Sequence, residues 1–366
     1  MYLWKKLDWP TLTWHDKSLS RLLAEVSREQ GRLLGKMEEL GFGLRNEAHL
    51  QTLTEDVVKS SEIEGEKLER EQVRSSIARR LGMDAGGLVP ADRNVEGVVE
   101  MMLNATGNYS ESLTEERLFA WHASLFPTGR SGMTKILVGC WRDDSDGPMQ
   151  VVSGPVGREK AHFETPPAER VPNEMAKFLR WFEQPGDMDP LLIAGLAHLW
   201  FVTIHPFDDG NGRIARAIAD MVLARSEKTG QRFYSMSAQL CREHKVYYET
   251  LEWTQKGGLD ITRWQDWFLN CLGRAIDGAQ ETLGAALGKS RFWERFATEA
   301  LNERQIKVLN RLLDGFEGKL TTSKWAKLAK CSQDTAYRDI LDLIERGALK
   351  KDSAGGRSTS YSLVTK

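Results

Sequence analysis

The chain has 366 residues, room for two or three domains with real cores. Its 41% hydrophobic and 28% charged residues exclude a disordered or fibrous protein, and a formal net charge of -2 excludes a uniformly basic nucleic-acid binder. The charge is nevertheless uneven: residues 319–366 hold ten basic and five acidic side chains, leaving 40 basic against 47 acidic elsewhere.

The first residues, MYLWKKLDWPTLTW, lack the apolar run and small-residue cleavage site of a signal peptide, and the four cysteines are scattered with no CxxC pair. Both point to a cytoplasmic protein with reduced thiols. Apolar residues at helical spacing predict helices over 17–39 and 47–64, separated by Gly41 and Gly43, and a further helix over 70–80. Residues 83–94 read as a loop.

The pattern SLTE from Ser112 supplies a capping box for a helix carrying Leu118, Trp121 and Leu125, which Pro127 ends. Residues 135–141 and 149–153, rich in β-branched side chains around DDSDGP, predict a hairpin. Pro172 starts the next helix. Residues 191–204 are apolar apart from His198, too short to span a bilayer and suited to a helix buried on all sides, so no membrane partner is expected. After HPFDDGNG, a helix over 213–225 carries Ile214, Ala217, Ile218, Met221 and Val222 on one stripe. Two aromatic-rich helices follow over 247–272. The glycines of 278–288 read as a linker to a C-terminal unit.

The chemistry concentrates in residues 205–216, HPFDDGNGRIAR. Gly210 and Gly212 flank Asn211 at a helix N-terminus, where unpaired N–H groups and the macrodipole favour an anion. Arg213 and Arg216 are three apart on that helix and present two guanidinium forks suited to a di- or triphosphate. Asp209 offers a hard oxygen ligand of the type magnesium uses alongside substrate phosphates. His205, with an unperturbed pKa near 6.5, suits proton abstraction from a hydroxyl. A calcium loop is excluded, since the twelfth position from Asp208 is Ala219 rather than Glu, and no P-loop sequence is present.

This segment resembles the HxFx[DE]GNGRxxR signature of the Fic family in full. With the helical N-terminal layer read above and the C-terminal winged helix read below, the resemblance implies a mainly α fold: a Fic-type helical bundle with a small β-hairpin flap. It divides the chain into 1–113, a catalytic core over 114–278, a linker over 279–300 and a winged helix over 301–366. It further implies a protein adenylyltransferase using ATP and Mg²⁺. His205 would deprotonate a target hydroxyl that attacks the α-phosphate, Phe207 would anchor the loop, and Asp209 would hold the metal. Gly210, Asn211, Gly212 and Arg213 would cradle the α- and β-phosphates while Arg216 meets the γ-phosphate. A flap at Lys160, Ala161, His162 and Phe163 would align the target chain by β-pairing. The adenine would lie around Tyr247 and Gln255, for which helix packing is the competing role. The implied partners are ATP, a protein bearing a hydroxyl side chain, the chain itself through auto-AMPylation, and a second copy in a homodimer.

Residues 60–65, SSEIEG, fit the [ST]xxxE[GN] pattern of Fic inhibitory helices, here about 47–65. Ser60 and Glu64 share a helix face, Gly65 reads as the C-terminal cap, and an acid in a last turn needs a cationic partner. Arg216 is the expected one. Such a pair would restrain AMP transfer, and Glu64 placing a water would also serve AMP removal.

The basic tail reads as helix, turn, helix and a two-stranded wing around Gly355 and Gly356. It resembles winged-helix domains, with 332–343 as the recognition helix and Lys330, Gln333, Arg338, Lys350 and Arg357 toward phosphates or bases. Docking of protein competes with DNA here, because Asp334, Asp339 and Asp342 share that helix. A DNA-binding regulator whose body senses ATP is the alternative function.

Overall fold

A computed structural model describes residues 2–83, 89–145, 147–153, 160–296, 299–313, 318–352 and 359–364. The predicted wing turn at Gly355 and Gly356, with Arg357, lies outside them. The contacts divide the chain into a unit over Met1–Ala279 and a unit over Gln280–Lys366.

The first unit is helical. In order it contains α1 (Asp16–Glu38), α2 (Phe42–Ile63), α3 (Arg70–Arg80), α4 (Arg93–Gly107) and α5 (Glu115–Leu125). Two short strands, β1 (Arg130–Ser131) and β2 (Thr134–Lys135), precede β3 (Gln150–Ser153) and β4 (Lys160–Glu164). Then come α6 (Val171–Glu183), α7 (Pro190–Ile204), α8 (Asn211–Glu227), α9 (Met236–Arg242), α10 (His244–Gln255) and the start of α11 (Thr262–Arg295), whose residues from Gln280 on belong to the second unit. Every residue of α7 from Leu191 to Ile204 is buried, as its continuous apolar run requires. Asp189 starts that helix by accepting the Leu191 N–H at 2.8 Å, with Pro190 in the first turn. α8 packs along α7, and α2, α4, α5 and α9 surround α8.

Four local expectations are corrected. The hairpin pairs β3 with β4, in the antiparallel register Gln150↔Glu164, Val151↔Phe163, Val152↔Ala161 and Ser153↔Lys160. Residues 136–141 are irregular instead, because their backbone donors go to the 205–209 loop and its neighbours: Leu137 N–H to Asp208 Oδ2 at 2.8 Å and Gly139 N–H to His122 Nδ1 at 3.3 Å. Local β propensity yields to those tertiary bonds. The cap of α5 is Thr114, whose hydroxyl accepts the Arg117 N–H at 3.2 Å, rather than Ser112. The loop read over 83–94 gives way at its end to α4, otherwise unread in the sequence, which is capped by Asp92, starts at Arg93 and buries Val95, Val98, Val99 and Met102.

The fourth concerns the glycines of 278–288, which lie within α11. Each costs about 1 kcal/mol relative to alanine, but the intervening Ala, Gln, Glu and Leu are strong helix formers and no proline interrupts them.

The second unit adds α12 (Glu303–Leu313), α13 (Thr322–Ala329), α14 (Gln333–Glu345) and the antiparallel pair β5 (Leu349–Lys351) with β6 (Tyr361–Leu363). Its core gathers Phe292, Val308, Leu309, Trp325, Ile340 and Leu343. Asp339 and Asp342 on α14 are engaged within the unit, the first by Arg304 and Asn302, the second by Gln305 and Arg346. The four cysteines are unpaired. Among the described residues no helix is long and apolar enough to cross a membrane.

Candidate active site

α7 ends at His205, whose backbone adopts the left-handed conformation (φ 54, ψ 60). That turn directs the chain into the 206–210 loop and then into α8. His205 Nδ1 lies 3.2 Å from the Val202 carbonyl, which fixes the N–H on that nitrogen and leaves Nε2 as the basic atom. Burial pushes the imidazole down to about 4; the Val202 bond, Glu64 and Asp209 oppose the shift, and the Arg142 charge adds to it. A neutral ring at pH 7 is the form that accepts a proton.

The loop is fastened on every side. Asn211 uses its whole amide on Phe207, accepting the Phe207 N–H at 3.0 Å and donating to the Phe207 carbonyl at 2.8 Å. The Asn211 side chain is therefore spent on the loop, and its offer to an anion is the backbone N–H. Phe207 is fully buried and stacks on His122 at 4.2 Å. Burial lowers the His122 pKa to about 4. Its neutral ring takes the Gly139 N–H on Nδ1 and donates from Nε2 to the Asp209 carbonyl at 3.2 Å. Arg142, 3% exposed, donates from Nε to the His205 carbonyl at 2.8 Å and from its backbone N–H to the Pro206 carbonyl at 2.9 Å.

α8 opens at Gly210, in the left-handed region at φ 81, so its first N–H groups face an anion-binding cradle. Into that cradle reaches Glu64. A Cβ placed on Gly212 would stand 2.1 Å from Glu64 Oε1 and 3.1 Å from Arg216 Nη1, so only glycine leaves room there for a carboxylate or phosphate oxygen. Glu64 Oε1 accepts from Arg216 Nη2 at 2.7 Å, and Arg216 also donates to the Ser60 hydroxyl and carbonyl, each at 2.9 Å. Next door, Arg213 Nη1 meets Glu66 Oε2 at 2.6 Å and its guanidinium covers the Phe126 ring. Both arginines are more than nine-tenths buried, yet Arg213 Nε and Arg216 Nη1 have no hydrogen-bond partner among the described residues. Buried cationic donors left in that state are set for an anionic ligand.

The end of α2 explains why Glu64 and Glu66 arrive together. Gly65 takes φ 80, its N–H bonds the Glu62 carbonyl at 3.0 Å, and the Glu66 N–H bonds the Ser61 carbonyl at 3.0 Å. This double-bonded left-handed cap turns the chain so that both carboxylates face α8. Further up α2, Asp56 accepts from Ser235 and from the Ser237 N–H at 3.1 Å. Asp220 on α8 pairs with Arg232, which also holds Glu227. Burial, then the neighbouring Asp56, raises the Asp220 carboxyl well above the usual range, and Oδ2 of each aspartate lacks another partner.

Asp209 accepts from the Ser131 hydroxyl and from the Gly210 N–H at 2.5 Å. Among the described residues no group of three or more His, Cys, Asp or Glu is arranged to hold a metal. A single carboxylate beside a phosphate cradle fits magnesium, which completes its shell with phosphates and water.

The remaining residues singled out in the sequence lie at differing places. Lys160, Ala161, His162 and Phe163 form β4, with Phe163 buried and His162 Nδ1 2.6 Å from Glu252 Oε2 on α10. Tyr247 and Gln255 are turned into the core: the Tyr247 hydroxyl shares a hydrogen bond with His198 Nε2 at 2.9 Å, and Gln255 Nε2 approaches Thr203 Oγ1 at 3.3 Å. Arg142, His122, Ser131 and Glu66 escaped sequence reasoning.

The arrangement defines a helical protein that presents an anion-binding helix start beside a neutral imidazole. More narrowly, the chain carries a Fic/DOC-family domain: the family's sequence model matches residues 112–223, and residues 2–83 match a domain of unknown function, DUF4172. A protein adenylyltransferase Fic of Culex quinquefasciatus is 24% identical over 282 residues, covering 70% of this chain and 50% of the relative. A probable protein adenylyltransferase of Aquifex aeolicus is 27% identical over 199 residues, covering 54% and 56%. The chain thus spans about half the length of the curated relatives it matches. In fold it is similar to a Fic family protein from Desulfovibrio desulfuricans, with TM-score 0.53, 22% identity, and 94% and 96% of the two chains covered.

Proposed function

We propose that this protein transfers AMP from ATP to hydroxyl side chains of a target protein, and that Glu64 restrains the reaction. The observation carrying the reading is the pair of buried, partly unpartnered arginines beside a glycine-lined helix start, with the His205 ring on the adjoining loop. The reading takes 1–113 as the restraining layer, 114–278 as the catalytic core, and 301–366 as a winged helix joined through 279–300.

In the transfer, His205 Nε2 takes the proton of the target hydroxyl. The freed oxygen bonds to the α-phosphorus while the bond to the bridging oxygen breaks, and pyrophosphate departs with that electron pair. The N–H groups of Asn211 and Gly212 and the two guanidiniums stabilise the charge that develops. Asp209, supported by Ser131, would hold magnesium, which when bound neutralises phosphate charge. β4 offers an extended segment along which a target chain would align.

Glu64 supports the restraint because its carboxylate fills the cradle at Gly212 and occupies Arg216. Intact arginines and Gly212 favour AMP over other transferred groups, and AMP removal through a Glu64-held water is compatible with the same geometry. The test is labelled-nucleotide transfer with intact-mass analysis, comparing ATP with UTP, GTP and CTP. We expect one added AMP, much faster transfer in Glu64→Gly than in wild type, and at least a 100-fold loss in His205→Ala, the order of a general base. Equal rates in wild type and Glu64→Gly would remove the restraint, and no nucleotide uptake by Glu64→Gly would remove the activity.

One observation favours a DNA-binding role for the C-terminal unit: Asp339 and Asp342 are neutralised within it, while Gln333, Tyr337 and Arg338 are exposed on α14. Gel shifts over a salt series test this, since phosphate contacts weaken steeply with salt.

A further inference from the structure

His205 is a non-glycine residue held in the left-handed region, a conformation that costs on the order of 1 kcal/mol and persists only where its surroundings enforce it. One residue supplies much of that enforcement. Arg142 bonds two consecutive carbonyls, those of His205 and Pro206, through Nε at 2.8 Å and its backbone N–H at 2.9 Å. Its other nitrogens are committed too: Nη1 to Asp144 Oδ1 at 2.8 Å, Nη2 to the Thr165 hydroxyl at 2.8 Å and to the Pro166 carbonyl at 2.5 Å. Thr165 directly follows β4, and its N–H bonds the Met149 carbonyl beside β3 at 3.1 Å. A planar guanidinium makes these bonds in fixed directions, which an ammonium does not reproduce.

Resting on the AMP-transfer reading, we infer that Arg142 is a positioning residue for the reaction. It holds the His205 backbone so that the imidazole meets the incoming hydroxyl, and it couples that ring to the base of the β3–β4 hairpin along which the target would lie. Arg142 reaches neither the phosphate cradle nor its arginines by any bond described above. Its removal should therefore spare nucleotide binding and slow the chemical step. Arg142 also contributes charge: Glu64, Asp209 and Arg142 are the ionisable groups that act on the ring, and Arg142 alone of these opposes its protonation.

Two variants in the Glu64→Gly background separate geometry from charge. Arg142→Lys keeps the cation and loses the paired carbonyl bonds; we expect kcat to fall about 100-fold, the scale of an ångström's misplacement, with the Kd for a non-hydrolysable ATP analogue within twofold. The acid limb of its pH profile should not move. Arg142→Met removes the charge as well, and the NMR titration midpoint of the His205 ring should rise from about 4 toward the ordinary value.

Thermal melting is followed in parallel. Unchanged kcat in Arg142→Lys overturns the inference, as does a loss of ATP-analogue binding and melting temperature in step with kcat, which assigns Arg142 to folding alone. Should Arg142→Met fail to fold, Thr165→Val removes one partner of Nη2, and an unaltered kcat there together with an unaltered Arg142→Lys rate also overturns it. Absence of transfer in the Glu64→Gly parent speaks against the AMP-transfer reading instead, and the ring titration still reports on Arg142.

Discussion

Two segments meet at the start of α8, and they are held by different physics. The 205–211 loop is fixed by bonds from buried side chains to backbone groups: Asn211 on Phe207, His122 on the Asp209 carbonyl, and Arg142, with its backbone N–H, on two carbonyls. The 60–66 segment reaches the same place through two carboxylates with half-buried side chains, Glu64 on Arg216 and Glu66 on Arg213, beside the buried bonds of Arg216 to Ser60. A buried neutral bond that loses its partner leaves an unsatisfied group at full cost, whereas a buried guanidinium whose carboxylate partner is partly exposed can exchange that carboxylate for another anion. On the function proposed above, the site would join a rigid half that sets geometry to a displaceable half that a phosphate replaces.

The strongest way to break this contrast is Asn211→Ala. It leaves a buried N–H and carbonyl of Phe207 unpaired, so we expect about 2–4 kcal/mol lower stability in urea unfolding and transfer reduced at least 100-fold. A fully stable variant would show that the loop is held elsewhere. Next in size, the displaceable half should respond by gain rather than loss. Glu66→Gln frees Arg213, and we expect a several-fold tighter Kd for a non-hydrolysable ATP analogue by calorimetry, additive with Glu64→Gly; unchanged affinity would confine the competition to Arg216.

The smallest effect is in pH. His205 carries a folded pKa near 4, below its ordinary 6.5, so transfer by Glu64→Gly should stay flat as pH falls from 8 to about 5 and drop through 4. His49 and His122 are likewise pushed down to about 4 by burial, and His198 to about 3. Because their folded pKa values are depressed, the stability they contribute is complete above about pH 6.5 and is lost as pH falls toward 4. Denaturation midpoints at intervals between pH 8 and 4 check this.

What could be read beforehand followed the distance along the chain. His205 to Arg216 is contiguous, so its loop, glycines and arginines were legible as one unit, and Ser60 and Glu64 were placed on one helix face by spacing alone. Contacts between remote residues left no local trace: Arg142 reaches His205 across 63 residues, His122 reaches Asp209 across 87, and Glu66 reaches Arg213 across 147. The hairpin was misassigned for the same reason, since residues 136–141 have strand-like side chains and backbone partners on a distant loop. The glycines of α11 misled in the opposite direction, their local penalty being too small to stop a helix that good helix formers sustain.

The Asp56 and Asp220 pair bears on how the displaceable half would let go. Asp56 anchors the middle of α2 to the start of α9 through Ser235 and Ser237, and Asp220 on α8 is held by Arg232, with both aspartates deep in the interior. On the restraint proposed above, release of Arg216 would not need to lift the whole helix. It would amount to fraying of the last turn back from Gly65, a small excursion that would surface as faster amide hydrogen exchange at residues 60–66 while the stretch around Asp56 stays protected.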